Sequence, residues 1–221
     1  MKNINWLDQF ANLLVVILGI SIAFWLEGYK EEVSNEEKER KYLESLLSDL
    51  EADVEALDTL LYFNKTIISS LNNLSNASLG SPFESDSALR WNVMSIQYNP
   101  PFSPQRTSYE SLKSSGAIEH IDDFELRKRI IELYEQYYHG AGEYDGVLND
   151  HVRDFVKPFY MYQIRYFKGG VLNPSFLQQP EFRNIIFTYQ YLFGRKDEYY
   201  SLVRSQILEI AQEIKSHLAK E

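Results

Sequence analysis

From Phe10 to Leu26 the chain runs seventeen residues without a charge, and only Asn12, Gly19 and Ser21 interrupt its aliphatic and aromatic side chains. A helix built from this stretch has no polar face. It is therefore a membrane span, a helix buried on every side, or the apolar core of a signal peptide. At about 1.5 Å per residue the run reaches roughly 25 Å, a little short of a ~30 Å hydrocarbon layer. Trp6, Trp25 and Tyr29 bracket it, and amphipathic rings favour the two membrane interfaces. A signal peptide needs a basic leader and a small-x-small cleavage site. Here Lys2 alone precedes the run, and "AFWLEG" puts bulky residues where small ones belong. The reading is an uncleaved transmembrane helix over residues 10–29. One face carries Asn12, Val16, Gly19 and Ala23, a small-xxx-small spacing that lets two helix backbones approach in lipid.

Beyond Tyr29 the pattern becomes amphipathic. Leu43, Leu47, Leu50, Val54, Leu57 and Leu61 follow one another in alternating steps of four and three, a heptad seam. Such a seam serves either a coiled coil between subunits or an amphipathic helix packed on its own domain. No Pro occurs before residue 71 and no Gly between Gly28 and that point, so the anchor is expected to run into this stalk helix, residues 30–71, as one rod. Residues 72–105 then change to turn-forming composition, "NNLSNASLGSP" and "NPPFSP", around a short helix near Ser85–Ile96.

The remainder, residues 106–221, reads as a helical domain. Thr107 with Glu110 has the spacing of a capping box, and Gly116 suits the helix end. Asp122 with Glu125 repeats the box and opens a helix that turns Phe124, Ile130 and Tyr134 inward and closes at Gly140. A further helix is expected over about Glu143–Phe167, bent near Pro158, and a last one from Pro180 with an interruption near Gly194. With residues 1–9 as a short tail, the expected architecture is all-α. It comprises an N-terminal transmembrane helix, a long amphipathic, coiled-coil-like helix and a helical-bundle domain.

Composition narrows the function. A net charge of −10 argues against nucleic acid as a partner, because phosphate binding needs clustered Lys and Arg. The absence of cysteine excludes disulfides, thiolate metal sites and cysteine nucleophiles. The four histidines offer His139 with Glu143 and His151 with Asp154 as the nearest approach to metal-ligand spacing, and neither forms a recognised set. No nucleophile elbow or glycine-rich phosphate loop appears. No catalytic residue, metal or cofactor is expected.

Two stretches together carry a resemblance: "LLVVILGISIAFWLEGYKEE" with the acidic helix after it, and "RTSYESLKSSGAIEHIDDFELRKRIIELYEQYY". They resemble an uncharacterised family of bacterial single-pass inner-membrane proteins that share an N-terminal anchor and a "tYesLkssG" motif. Arg106, Tyr109, Leu112, Lys113, Ser114, Ser115, Gly116 and Ile121 are the motif positions in this chain. The resemblance implies an N-terminus in the cytoplasm and a helical domain in the periplasm, although the basic segment usual before the anchor is missing here. It implies no activity. The expectation is a structural or interaction component of a membrane-associated assembly, partnered by the lipid bilayer and by its own copies or another membrane protein. The alternative is an oligomeric effector or channel-type subunit whose anchors pack into a pore.

Overall fold

A computed structural model describes residues 6–167, 170–171 and 173–219; the side chains of 6–9, 11–13 and 166–170 fall outside the description. Trp6 and Asn12, expected as an interfacial anchor and a helix-packing residue, lie among those. Helix α1 (Trp6–Ser78) is one unbroken rod of 73 residues, roughly 110 Å long. It runs through Gly28, where an added Cβ would meet nothing within 4 Å. Nothing in the sequence stops it, because the turn-forming cluster begins only near its C-terminal end.

Helices α2 (Asp86–Ser95) and α3 (Thr107–Ser115) follow, then α4 (Phe124–Glu132), α5 (Tyr138–His151) and α6 (Lys157–Gln163). The last three form one continuous path joined by π turns at Leu133–Tyr137 and Val152–Val156. Two-residue strands β1 (Tyr166–Phe167) and β2 (Gly170–Val171) pair antiparallel before the long helix α7 (Pro180–Leu218). Pro180 opens α7 where its missing N–H costs nothing.

Helices α1 and α7 pair antiparallel, and their seams are complementary heptads. On α7 the buried seam runs Phe182, Ile186, Tyr189, Phe193, Lys196, Tyr200, Val203, Ile207, Ile210 and Ile214, in steps of four and three, with Ala211 buried beside it. On α1 they include Leu43, Leu46, Leu50, Asp53, Leu57, Asn64, Ile67, Leu71 and Leu74. Leu47, Val54 and Leu61 flank this line, partly buried against the same core. The leucine seam expected from sequence is thus covered by α7 of the same chain. Leu43, Leu50 and Leu57 of the expected seam lie on the buried line, while its alternate positions are a residue off, where Leu46 and Asp53 are buried instead. Surface pairs Asp58–Arg204 and Glu51–Lys215 bracket the contact at 2.5 and 2.8 Å.

Two apolar clusters result. One gathers Leu43–Leu57 of α1 with α3, α4 and the C-terminal half of α7; the other gathers Ile67–Ala77 with α2, the end of α5, α6 and the first half of α7. Of the two uses open to the heptad seam, the chain shows the packed one: from Leu43 onward the stalk helix is one wall of the bundle.

Several local expectations are corrected, among them the interruption near Gly194, through which α7 runs unbroken, and the helix start near Glu143, which lies inside α5. Thr107 is the first residue of α3, not its cap, and no side chain caps α3 locally. One of its free N–H groups is met from α1, Ser108 donating to Asp49 at 3.2 Å, and Gln105, ahead of the helix, donates to Asp53 at 2.8 Å. Asp123, not Asp122, caps α4, accepting from Glu125 and Leu126; Asp122 instead donates its N–H to Glu39. That one-residue shift leaves Phe124 exposed. Gly140 does not end a helix. A Cβ there would stand 2.3 Å from the Tyr199 hydroxyl, so the glycine admits the α7 phenol against the helix backbone.

Candidate functional site

The first candidate is the part of α1 outside the bundle. From Leu14 to Leu26 every large apolar side chain is exposed, with Val15 at 68%, Phe24 at 69% and Trp25 at 69%. Val16, Gly19 and Ala23 share this surface, and a Cβ on Gly19 would meet nothing within 4 Å. Trp25 and Tyr29 stack with centroids 6.1 Å apart at the C-terminal edge of the collar. Immediately beyond lie Glu31, Glu32, Glu36 and Glu39, facing Glu119, His120 and Asp122 across a polar cleft. Among the described residues, no helix is long and apolar enough to cross a membrane; the uncharged run includes residues 11–13, whose side chains are outside the description.

The "RTSYESLKSSG" motif is held inside the domain. Tyr109 is buried and stacks on Tyr134 with centroids 4.2 Å apart and planes 3° from parallel. Its hydroxyl donates to Glu135 at 2.8 Å, and Lys113 reaches the same carboxylate at 2.5 Å. The Lys113 and Tyr109 hydrogen bonds hold Glu135 below the usual carboxylate range. Tyr134 and Glu135 belong to the first π turn. Arg106 donates to the Tyr134 carbonyl at 3.3 Å. Leu112 and Ile121 are buried, Ser114 and Ser115 donate back to the Ser111 carbonyl, and Gly116 ends α3 at φ 72°. The motif builds a turn and an aromatic stack against the π segment.

Between the two apolar clusters runs a buried polar belt, which sequence reasoning missed. Lys196, fully buried, donates to Asn99 Oδ1 at 2.7 Å and to the Pro100 carbonyl at 2.9 Å, and pairs with Asp145 at 2.9 Å. Asp145 also accepts from Tyr200 at 2.7 Å and from the Phe102 N–H at 3.0 Å. Burial pulls the Lys196 ammonium below its ordinary range, and the Asp145 charge opposes that pull. Burial, joined by the Asp145 charge, pushes the Tyr200 phenol up. The Lys196 ammonium also lies 4.8 Å from the Tyr200 ring centre. The belt straps the segment after α2 onto α5 and α7. The signal for it was present: Lys196 falls on a strict heptad position of α7.

Asp53 forms a second strap, accepting from Gln105 and, at 2.6 Å, from the Tyr138 hydroxyl. Burial pushes its carboxyl up to about 6, against the Tyr138 and Gln105 hydrogen bonds. The folded protein thus keeps a proton on Asp53 that an unfolded chain releases near pH 4. Stability from this group is full at acid pH and falls as pH rises from about 4 to about 6, by up to about 1.4 kcal/mol per unit. Asp53→Asn removes the titration, so its stability relative to the parent is expected to improve over that interval and level off above it. Urea unfolding of both proteins across pH 4.5–7.5 measures this; a pH-independent difference contradicts it.

Beside the belt lies an open cavity of about 700 Å³, floored by Leu60, Phe63 and Val152 and edged by Asn99, Asn149 and Lys157. The histidines serve local contacts. His139 pairs with Glu143 at 3.6 Å on the surface, and His217 lies 3.3 Å from Glu39. His151 packs between Phe155 and Tyr189 with Nε2 on the Ile185 carbonyl, and burial lowers its pKa. Among the described residues, no three His, Asp or Glu side chains are placed to hold a metal ion.

Over residues 12–187 the chain matches a family described as "Family of unknown function (DUF6090)". No curated protein and no solved structure matches it.

Proposed function

The chain belongs to this family of unknown function (DUF6090), and we propose that it is a single-pass membrane protein whose helical domain is an interaction component of a membrane-associated assembly. The observation that carries the reading is the solvent-exposed collar from Leu14 to Leu26. Each such side chain gains about 1.5–3 kcal/mol on leaving water, so a row of them on every face of a helix calls for an apolar surrounding. A lipid layer supplies it, and the uncharged run from Phe10 to Leu26 reaches roughly 25 Å of it. The Trp25–Tyr29 stack and the glutamates beyond mark the interfacial edge. The orientation follows the resemblance: N-terminus in the cytoplasm, domain in the periplasm.

Assembly has little to draw on in the Leu43–Leu61 stripe, which α7 covers. It falls to the collar, where Val16, Gly19 and Ala23 offer a small-residue face. Purification in mild detergent, with mass measured by light scattering, is expected to give a defined oligomer or a complex with a second membrane protein. A monomer without companions contradicts the interaction role. Gly19→Leu meets no neighbour within the chain, so it is expected to reduce assembly while leaving the thermal unfolding of the domain unchanged.

A further inference from the structure

A groove follows the line where α2 lies along α1, and its lining differs from the rest of the surface. Tyr62 of α1 and Trp91 of α2, exposed at 76% and 64%, both line it. Between them lie Thr66, Ser69, Asn73 and Asn92, in an open volume of about 360 Å³. It continues past Asn73 and Asn92 into a second volume of about 320 Å³ that adds Asn76 and Phe83. The asparagines form an oriented row. Asn73 Nδ2 donates to Asn92 Oδ1 at 3.0 Å, and Asn92 Nδ2 donates to the Ala88 carbonyl at 2.7 Å. These two bonds fix both amides. Among the described residues, no hydrogen bond occupies the side chains of Thr66, Ser69 or Asn76. Lys65 and Glu84 are the charged residues of the two linings, and they cancel.

We infer that this groove binds the sugar rings of a neutral polysaccharide. A pyranose has two flat faces of C–H bonds, which pack on aromatic rings. Its edge carries hydroxyl or acetamido groups, which pair with fixed amides and hydroxyls. Exposed rings beside amides and hydroxyls match that division. Other ligand classes match less well. Nucleic acid needs cations, and here one lysine is offset by one glutamate. A protein partner favours rings set among Met and Arg, and serine is depleted at such interfaces. A lipid chain would find amides where it needs apolar walls. The groove lies about 60 Å along α1 from Leu26, so a chain anchored at the collar would present it well away from the bilayer surface.

The test uses the full chain in a polyoxyethylene detergent, which carries no sugar headgroup, mixed with insoluble chitin and with insoluble cellulose. The two probes separate acetamido from hydroxyl recognition. Retention on at least one is expected, unaffected by 0.5 M NaCl, and about tenfold weaker for Trp91→Ala and for Tyr62→Ala. Both residues are exposed, so the variants keep the fold; Tyr162→Ala, exposed on α6, is expected to bind like the parent. Failure to bind either polysaccharide, binding lost in salt, or binding untouched by both ring deletions overturns the inference. So does a Trp91→Ala variant that changes only the mass of a protein complex, which would make the groove a protein interface. None of these outcomes depends on whether the collar enters lipid.

Discussion

Lys196→Met is expected to destabilise the domain by about 3–5 kcal/mol, the cost of breaking a buried ion pair from one side. The methionine fills the seam position, so lost volume is not the cause. What is lost is the cation that satisfies Asn99 Oδ1, the Pro100 carbonyl and the Asp145 carboxylate together. Asp145 would stay buried with only the Tyr200 hydroxyl and the Phe102 N–H for company. Adding Asp145→Asn removes that uncompensated charge, so the double variant is expected to recover part of the loss. Chemical unfolding of the four proteins of this cycle yields the coupling. Faster amide exchange at Phe102 is also expected, because Pro100, two residues before it, loses its tether. A loss below about 1 kcal/mol for the single variant contradicts the account of the belt.

The second large effect concerns the collar. Leu18→Arg with Ile22→Arg puts two charges on a helix centre, at about 2.5–3.5 kcal/mol each against insertion. The parent is expected to stay with membranes through alkaline carbonate washing, and the double variant to be released. Both side chains are exposed and clear of the bundle, so the domain of the released variant is expected to unfold at the parent's temperature. Release with a collapsed domain would show instead that the collar is part of the domain's own core.

The particular elements show what could be read from the chain and what could not. The α1 rod was legible because no Pro or Gly interrupts its long polar stretch, and Pro180 announced α7. The seam was legible only to within one position. Asp53 is polar, so a search for apolar spacing steps aside onto Val54, and at Leu46/Leu47 and Leu60/Leu61 adjacent leucines fit either phase. Glycine misled at Gly140, where it answers the close approach of Tyr199 rather than a helix end. The absent cap on α3 was illegible for a different reason: one of its N–H groups is met by Asp49, more than fifty residues away. The same holds for the belt, whose members come from α5, α7 and the segment after α2. Lys196 beside Arg195, Asp197 and Glu198 reads as a solvated charge run until its heptad phase is counted. The motif positions were found by resemblance, and their role is visible only with the π turn that receives Tyr109 and Arg106.

The central claim is that the collar lies in lipid, and the sequence supplies a clean way to test it. The chain has no cysteine, so a single cysteine placed at each position from Phe10 to Val33 is the sole thiol in its variant. In vesicles, labelling by a membrane-impermeant maleimide is expected to be blocked across a continuous window ending near Leu26. It should return by Lys30 and be restored throughout when the vesicles are dissolved in detergent. Uniform labelling along the stretch, or protection that recurs every three to four residues as on one covered helix face, would contradict a membrane span.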